Sequence, residues 1–185
     1  MKPYLPIASP DPETRNPSLS LTLARPRMPY LRRQLRWHGH DYGSPGAYLV
    51  TVCTQGRLPL LSTIDEGGTT LLSAGQMVAD AWAAIRVHAP GWRVDTSVVM
   101  PDHVHGILWL DEPASSLPLS VVIQRWKTFT TRQYADGVRH HGWRPFRGQL
   151  WQRSFHDRVI RGDEELAAMR AYIADNPRRW LLSPR

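Results

Sequence analysis

The chain has 185 residues, 42% hydrophobic and 21% charged, with a net charge of +7, enough for one core and a tail but too few for two ordinary cores. No apolar run nears the roughly 18 residues of a membrane span, the first residues lack a secretory signal's apolar stretch, and Cys53 is alone. The expectation is a cytoplasmic protein with no membrane partner and no intrachain disulfide.

Seven prolines fall before Leu31. They remove backbone donors and leave no periodic apolar face, so residues 1–35 are expected to be an irregular basic arm preceding one domain over 36–185. Ala47–Cys53 is rich in strand formers, and Thr69–Leu72 after Gly67-Gly68 predicts a short second strand. Ser73 is expected to cap a helix to about His88, stopped by Pro90-Gly91. Arg93–Met100 and His103–Leu110 predict a hairpin around Pro101-Asp102. A helix is expected from Pro118 to about Tyr134, a loop over Arg139–Gln149 and an extended segment over Phe155–Ile160. The last helix opens at Asp163 as cap and ends at Asn176, because Pro177 disfavours helical geometry in the residue before it. Short strands interspersed with helices predict an α+β fold, an antiparallel sheet with helices packed on one face.

The charge is local. Residues 124–161 hold nine basic and two acidic side chains, whereas 36–123 hold four and eight. Trp126, Phe129, Tyr134, Trp143, Phe146, Trp151 and Phe155 stand among those cations. Guanidinium forks suit phosphate oxygens and rings suit bases, which points to single-stranded nucleic acid. A solvated basic face over a core of aromatics fits the same composition equally well.

Two places are suited to chemistry. On a strand, His103 and His105 project to one face, near enough to share a metal ion, although such a pair is more often two ordinary strand residues. In the last helix Tyr172 and Asn176 lie four apart on one face, a hydroxyl nucleophile beside an amide oxygen; a core-edge tyrosine and a helix C-cap would have the same spacing. Tyr134 is a rival nucleophile, discounted because Val138 is no ligand amide and Gly137 is expected to end that helix. His140, His141 and His156 stay unassigned.

The stretches Asp41–Thr54, Val99–Gly106, Trp151–Arg161 and Tyr172–Pro177, in that order, together resemble the REP-associated tyrosine transposases. These belong to the single-tyrosine branch of the HUH (histidine, hydrophobic, histidine) nucleases, with a ferredoxin- or RRM-like fold, and are related to the transposases of small insertion sequences. Asp102 stands where asparagine is usual and Phe155-His156 where the family has aromatic residues, departures expected to leave the chemistry untouched.

The resemblance implies that His103, His105 and Asn176 hold one divalent ion, magnesium or manganese, against a scissile phosphate that Tyr172 attacks. The product would be a 5′-phosphotyrosine and a free 3′ hydroxyl, and rejoining would need no ATP. An ordinary phenol titrates near 10, so forming a phenolate at pH 7 costs about 4 kcal/mol, to be offset by the cation and the geometry. Arg125, Lys127, Arg132, Arg153 and Arg158 are expected to contact DNA, with Arg125 and Arg132 on one helix face. The implied partner is single-stranded or hairpin DNA of the repetitive extragenic palindrome type, and paired active sites in the wider group are compatible with a homodimer. Two other readings compete: a DNA-binding protein with vestigial or host-regulatory cleavage, and a metal-dependent nuclease with water as nucleophile.

Overall fold

A computed structural model describes residues 45–111 and 117–182, all within the unit Gln34–Arg185. The arm expected over 1–35 lies outside the described residues.

Strand β1 (Gly46–Cys53) is followed by a 3-10 turn (Gln55–Arg57), β2 (Ser62–Asp65), β3 (Gly68–Leu71), helices α1 (Ser73–Ala83) and α2 (Ile85–His88), β4 (Trp92–Val99), β5 (His103–Leu110), α3 (Leu119–His140), β6 (His156–Ile160) and α4 (Gly162–Leu182). Four strands form one antiparallel sheet in the order β4-β5-β1-β6, while β2 and β3 pair as a separate hairpin. The expected α+β class and antiparallel sheet are present.

Alternation along the strands sorts side chains between two cores. Tyr48, Val50 and Val52 of β1 and Val104, Leu108 and Leu110 of β5 pack with Val78 and Trp82 of α1 and Val122, Ile123 and Trp126 of α3. Gly106 lies on this face, where a Cβ would stand 2.5 Å from the Trp82 ring; the close approach of helix to sheet therefore requires glycine. Their neighbours Ala47 and Ile107, with Ile160 of β6, pack instead with Leu166 and Ile173 of α4. Thus α1, α2 and α3 cover one face as expected, and α4 adds a layer on the other. Each buried aliphatic side chain contributes about 1.5–3 kcal/mol to such a layer. Arg170 of α4 adds a tie to β4, its Nε donating to Asp95 Oδ1 at 3.0 Å and its Nη2 to Oδ2 at 2.6 Å.

Local signals and structure part at several element ends. Ser73 is the first residue of α1 and not its cap; Leu72 precedes the helix, and no side chain caps it. The helix expected to run to His88 breaks at Ala84, so that α2 is separate. Strand β2, unmarked in the sequence, pairs with the predicted β3. Helix α3 runs through Gly137 to His140, because Trp143 fills the space a side chain at 137 would need, 2.1 Å from an added Cβ. Helix α4 starts at Gly162, where Glu165 Oε2 accepts the Arg161 N–H at 2.7 Å. It also continues past Asn176 with Pro177 inside it to Leu182. There, burial of Ile173 and Asn176 and packing of Trp180 on His103 override the local preference.

Candidate active site

Strand β5 begins at His103, immediately after the Pro101-Asp102 turn, and its alternation turns both imidazoles toward α4. The rings lie edge to face with centroids 4.6 Å apart, and both residues are buried. Each ring is held by one nitrogen. His103 Nδ1 lies 2.5 Å from Asp102 Oδ1, so its N–H donates to the carboxylate. His105 Nδ1 lies 2.7 Å from Thr51 Oγ1, on the strand paired with it in register. With Nδ1 so occupied, Nε2 is the nitrogen left to each ring as a ligand, the arrangement that fixes tautomer and orientation in metal sites. Burial, with the nearby charges of His103 and Arg57, pushes His105 down to about 3. It is a neutral base throughout the physiological range.

Helix α4 supplies the facing groups from three successive turns. The Tyr172 ring centroid is 5.4 Å from that of His105, and the Trp180 centroid is 6.0 Å from that of His103. Asn176 is one turn from each of them on the same stripe and is buried, so it stands opposite the histidine pair. Its Nδ2 donates to the Tyr172 carbonyl at 2.9 Å, which leaves Oδ1 as the amide's ligand atom. The Arg179 guanidinium lies over the Tyr172 ring at 5.4 Å. His103, His105, Tyr172 and Asn176, some seventy positions apart in sequence, are thus brought together.

These residues suit a divalent cation. Two imidazoles and one amide oxygen form a mixed nitrogen–oxygen set of borderline hardness, and three protein ligands leave positions for phosphate oxygens. Among the described residues no group of three or more His, Cys, Asp or Glu side chains gathers as a metal site, so the amide is what brings this set to three.

Three contributors were missed in the sequence: Thr51, Asp102 and Arg57. Thr51 is one more β-branched residue of a strand, and its role follows only from the β1–β5 register. Asp102, expected to leave the chemistry untouched, touches it directly through His103. Its other oxygen, Oδ2, lies 3.0 Å from Arg57 Nε. The signal available was its position, adjacent to a candidate ligand.

The expected DNA-contacting residues separate. Arg125, Arg132, Arg153 and Arg158 are exposed. Arg132 and Arg153 border a hollow of about 400 Å³ between α3 and residues 148–153, whereas Arg125 borders another of about 620 Å³ between α3 and the α1–α2 pair. The two arginines of one helix face therefore serve different hollows. Arg158 pairs with Glu165, Nη2 to Oε1 at 2.5 Å. Lys127, expected on the DNA-contacting face, is instead drawn inward: it is buried, and its Nζ donates to the carbonyls of Gln152 at 2.9 Å and Ser154 at 3.0 Å. Burial lowers it to about 8.

Tyr134 is fully buried and donates its hydroxyl to the Arg144 carbonyl at 2.9 Å, and burial raises its pKa. It is a core residue. His140 and His141 are exposed at the end of α3, and His156 is exposed on β6 opposite Thr51.

The family profile described as "Transposase IS200 like" matches residues 84–176. A Haemophilus influenzae protein described as uncharacterized is 28% identical over 163 residues, covering 80% of this chain and 89% of that one. A solved REP-associated tyrosine transposase bound to a REP hairpin superposes with a TM-score of 0.55 at 20% identity, covering 78% of this chain and 73% of that chain. At that identity the superposition establishes the shared fold.

Proposed function

The chain belongs to the IS200-like transposases, and from that premise we propose that it cuts and rejoins single-stranded or hairpin DNA through a covalent link to Tyr172. The observation that carries this reading is the stripe Tyr172, Asn176 and Trp180 laid along the histidine pair. The hairpin held by the structural relative supports a REP-like folded-back strand as substrate.

A divalent cation, magnesium or manganese, held by Nε2 of His103, Nε2 of His105 and Oδ1 of Asn176, would polarise the scissile phosphate as a Lewis acid and template. Tyr172 loses its proton to solvent as its oxygen attacks phosphorus. The bond to the 3′ oxygen breaks, and that oxygen takes up a proton to become a free 3′ hydroxyl. The new bond is a 5′-phosphotyrosine. Arg179, over the phenol ring, favours the negative charge that develops there. Attack by a second 3′ hydroxyl on the same phosphorus releases the phenol and reseals a strand, so no nucleotide cofactor is needed.

Labelled REP-type hairpin DNA incubated with the protein and Mn²⁺, then denatured, tests the reading. A covalent adduct is expected, lost in Tyr172→Phe. In His103→Ala the adduct is lost while DNA binding persists. Cleavage without adduct would assign water as the nucleophile, and binding without cleavage would leave a DNA-binding protein.

A further inference from the structure

Arg57 is the pocket residue for which the mechanism above has no use. Its φ is +56°, the one positive value outside glycine among the described residues, and it follows Gly56 at +65°. Left-handed backbone at a side-chain-bearing residue persists only where the surroundings over-determine it, and it clusters at functional sites. Here the surroundings do so: the Arg57 N–H donates to Thr54 O at 3.1 Å, Thr54 N–H to Asp102 O at 2.9 Å, and Gln55 N–H to Leu150 O at 2.8 Å. The turn is thereby fastened to the segment that opens β5.

The half-exposed guanidinium has two of its three nitrogens engaged. Its Nε faces Asp102 Oδ2 at 3.0 Å and its Nη1 faces Cys53 Sγ at 2.8 Å. Among the described residues Nη2 has no hydrogen-bond partner. Asp102 is shared with His103, so its one negative charge is divided between the guanidinium and the imidazole, and the remaining N–H groups of a guanidinium suit phosphate oxygens. The geometry points to Arg57 as a phosphate-binding residue of this pocket, donating from its open Nη2 to a non-bridging oxygen of the DNA strand, with Asp102 as the positioning residue that fixes Arg57 and His103 relative to one another. This assignment rests on the strand-transfer reading for the identity of the anion.

The test uses the full chain, labelled oligothymidylate in fluorescence anisotropy over a salt series with Mn²⁺ present, and Mn²⁺ affinity measured separately by electron paramagnetic resonance. Arg57→Gly deletes the side chain at a backbone conformation glycine adopts freely, so the turn is spared. Expected is oligothymidylate affinity about tenfold weaker, with the slope of log K against log salt shallower by about 0.7, one phosphate contact on a single strand. Mn²⁺ affinity in the absence of DNA does not fall. Arg57→Lys restores the slope but not the full affinity, since an ammonium lacks the planar fork. An unchanged slope in Arg57→Gly overturns the assignment, as does Mn²⁺ affinity falling in step with DNA affinity, which would make Arg57 a prop for the histidines. The strand-transfer reading is judged apart from this, on the wild-type adduct.

Discussion

Thr51 Oγ1 stands 2.7 Å from His105 Nδ1, one strand across from the ring it orients. Partners of this kind set the tautomer of a ligating histidine, and their loss typically costs 10–100-fold in metal affinity. Thr51→Val, close in shape but without the hydroxyl, is expected to weaken Mn²⁺ binding about tenfold by calorimetric titration while leaving DNA binding in the absence of metal unchanged. Undiminished Mn²⁺ affinity would show that β1 does not orient the ring.

His105 makes the fold sensitive to acid. Its pKa falls from 6.5 unfolded to about 3 folded, so the unfolded chain binds the extra proton. Stability from keeping the ring neutral is present above pH 6.5 and is lost as pH falls toward 3, by on the order of a few kcal/mol. Asp95, held down to about 2 chiefly by its hydrogen bonds to Arg170, adds a further loss below pH 3.8. Calorimetric melting should show Tm dropping across pH 6.5 to 4 in the wild type, and the drop should be smaller in His105→Gln.

Lys127 is expected to matter for stability more than for DNA. Lys127→Ala leaves the carbonyls of Gln152 and Ser154 without their donor. Urea unfolding should show a loss of about 2–3 kcal/mol. The salt dependence of DNA binding should stay near that of the wild type, unlike in Arg132→Ala or Arg153→Ala, and a large drop in the Lys127→Ala slope would return this lysine to the DNA-contacting set.

Gly106→Ala forces a methyl to within 2.5 Å of the Trp82 indole. Trp82 is fully buried and packs against Trp126 with centroids 5.3 Å apart, so the ring has little room to yield. A destabilisation of about 1–3 kcal/mol is expected in chemical denaturation. A neutral result would mean that α1 shifts easily on the sheet.

What the sequence made legible follows from how local each signal is. The strand at Ala47–Cys53, the hairpin around Pro101-Asp102 and the four residues His103, His105, Tyr172 and Asn176 rest on short-range alternation, on helical spacing and on motifs in order. The helix ends were less legible, because Pro177 and Gly137 speak only for local backbone preference, whereas Trp180 on His103 and Trp143 beside Gly137 are tertiary contacts. Lys127 misled for a similar reason: sequence gives charge but not the direction in which a long side chain turns. Thr51, Asp102 and Arg57 required register and loop geometry, which no spacing along one strand encodes.

The unequal thickness of the two layers has a thermal consequence. On the α1–α3 side, 23 buried residues form the core, whereas α4 is seated by a group of five among the described residues. Warming should therefore loosen the terminal helix, which carries the phenol, before the platform beneath it melts. Heat would disarm the protein before denaturing it, with adduct formation failing reversibly at temperatures where the sheet is still whole.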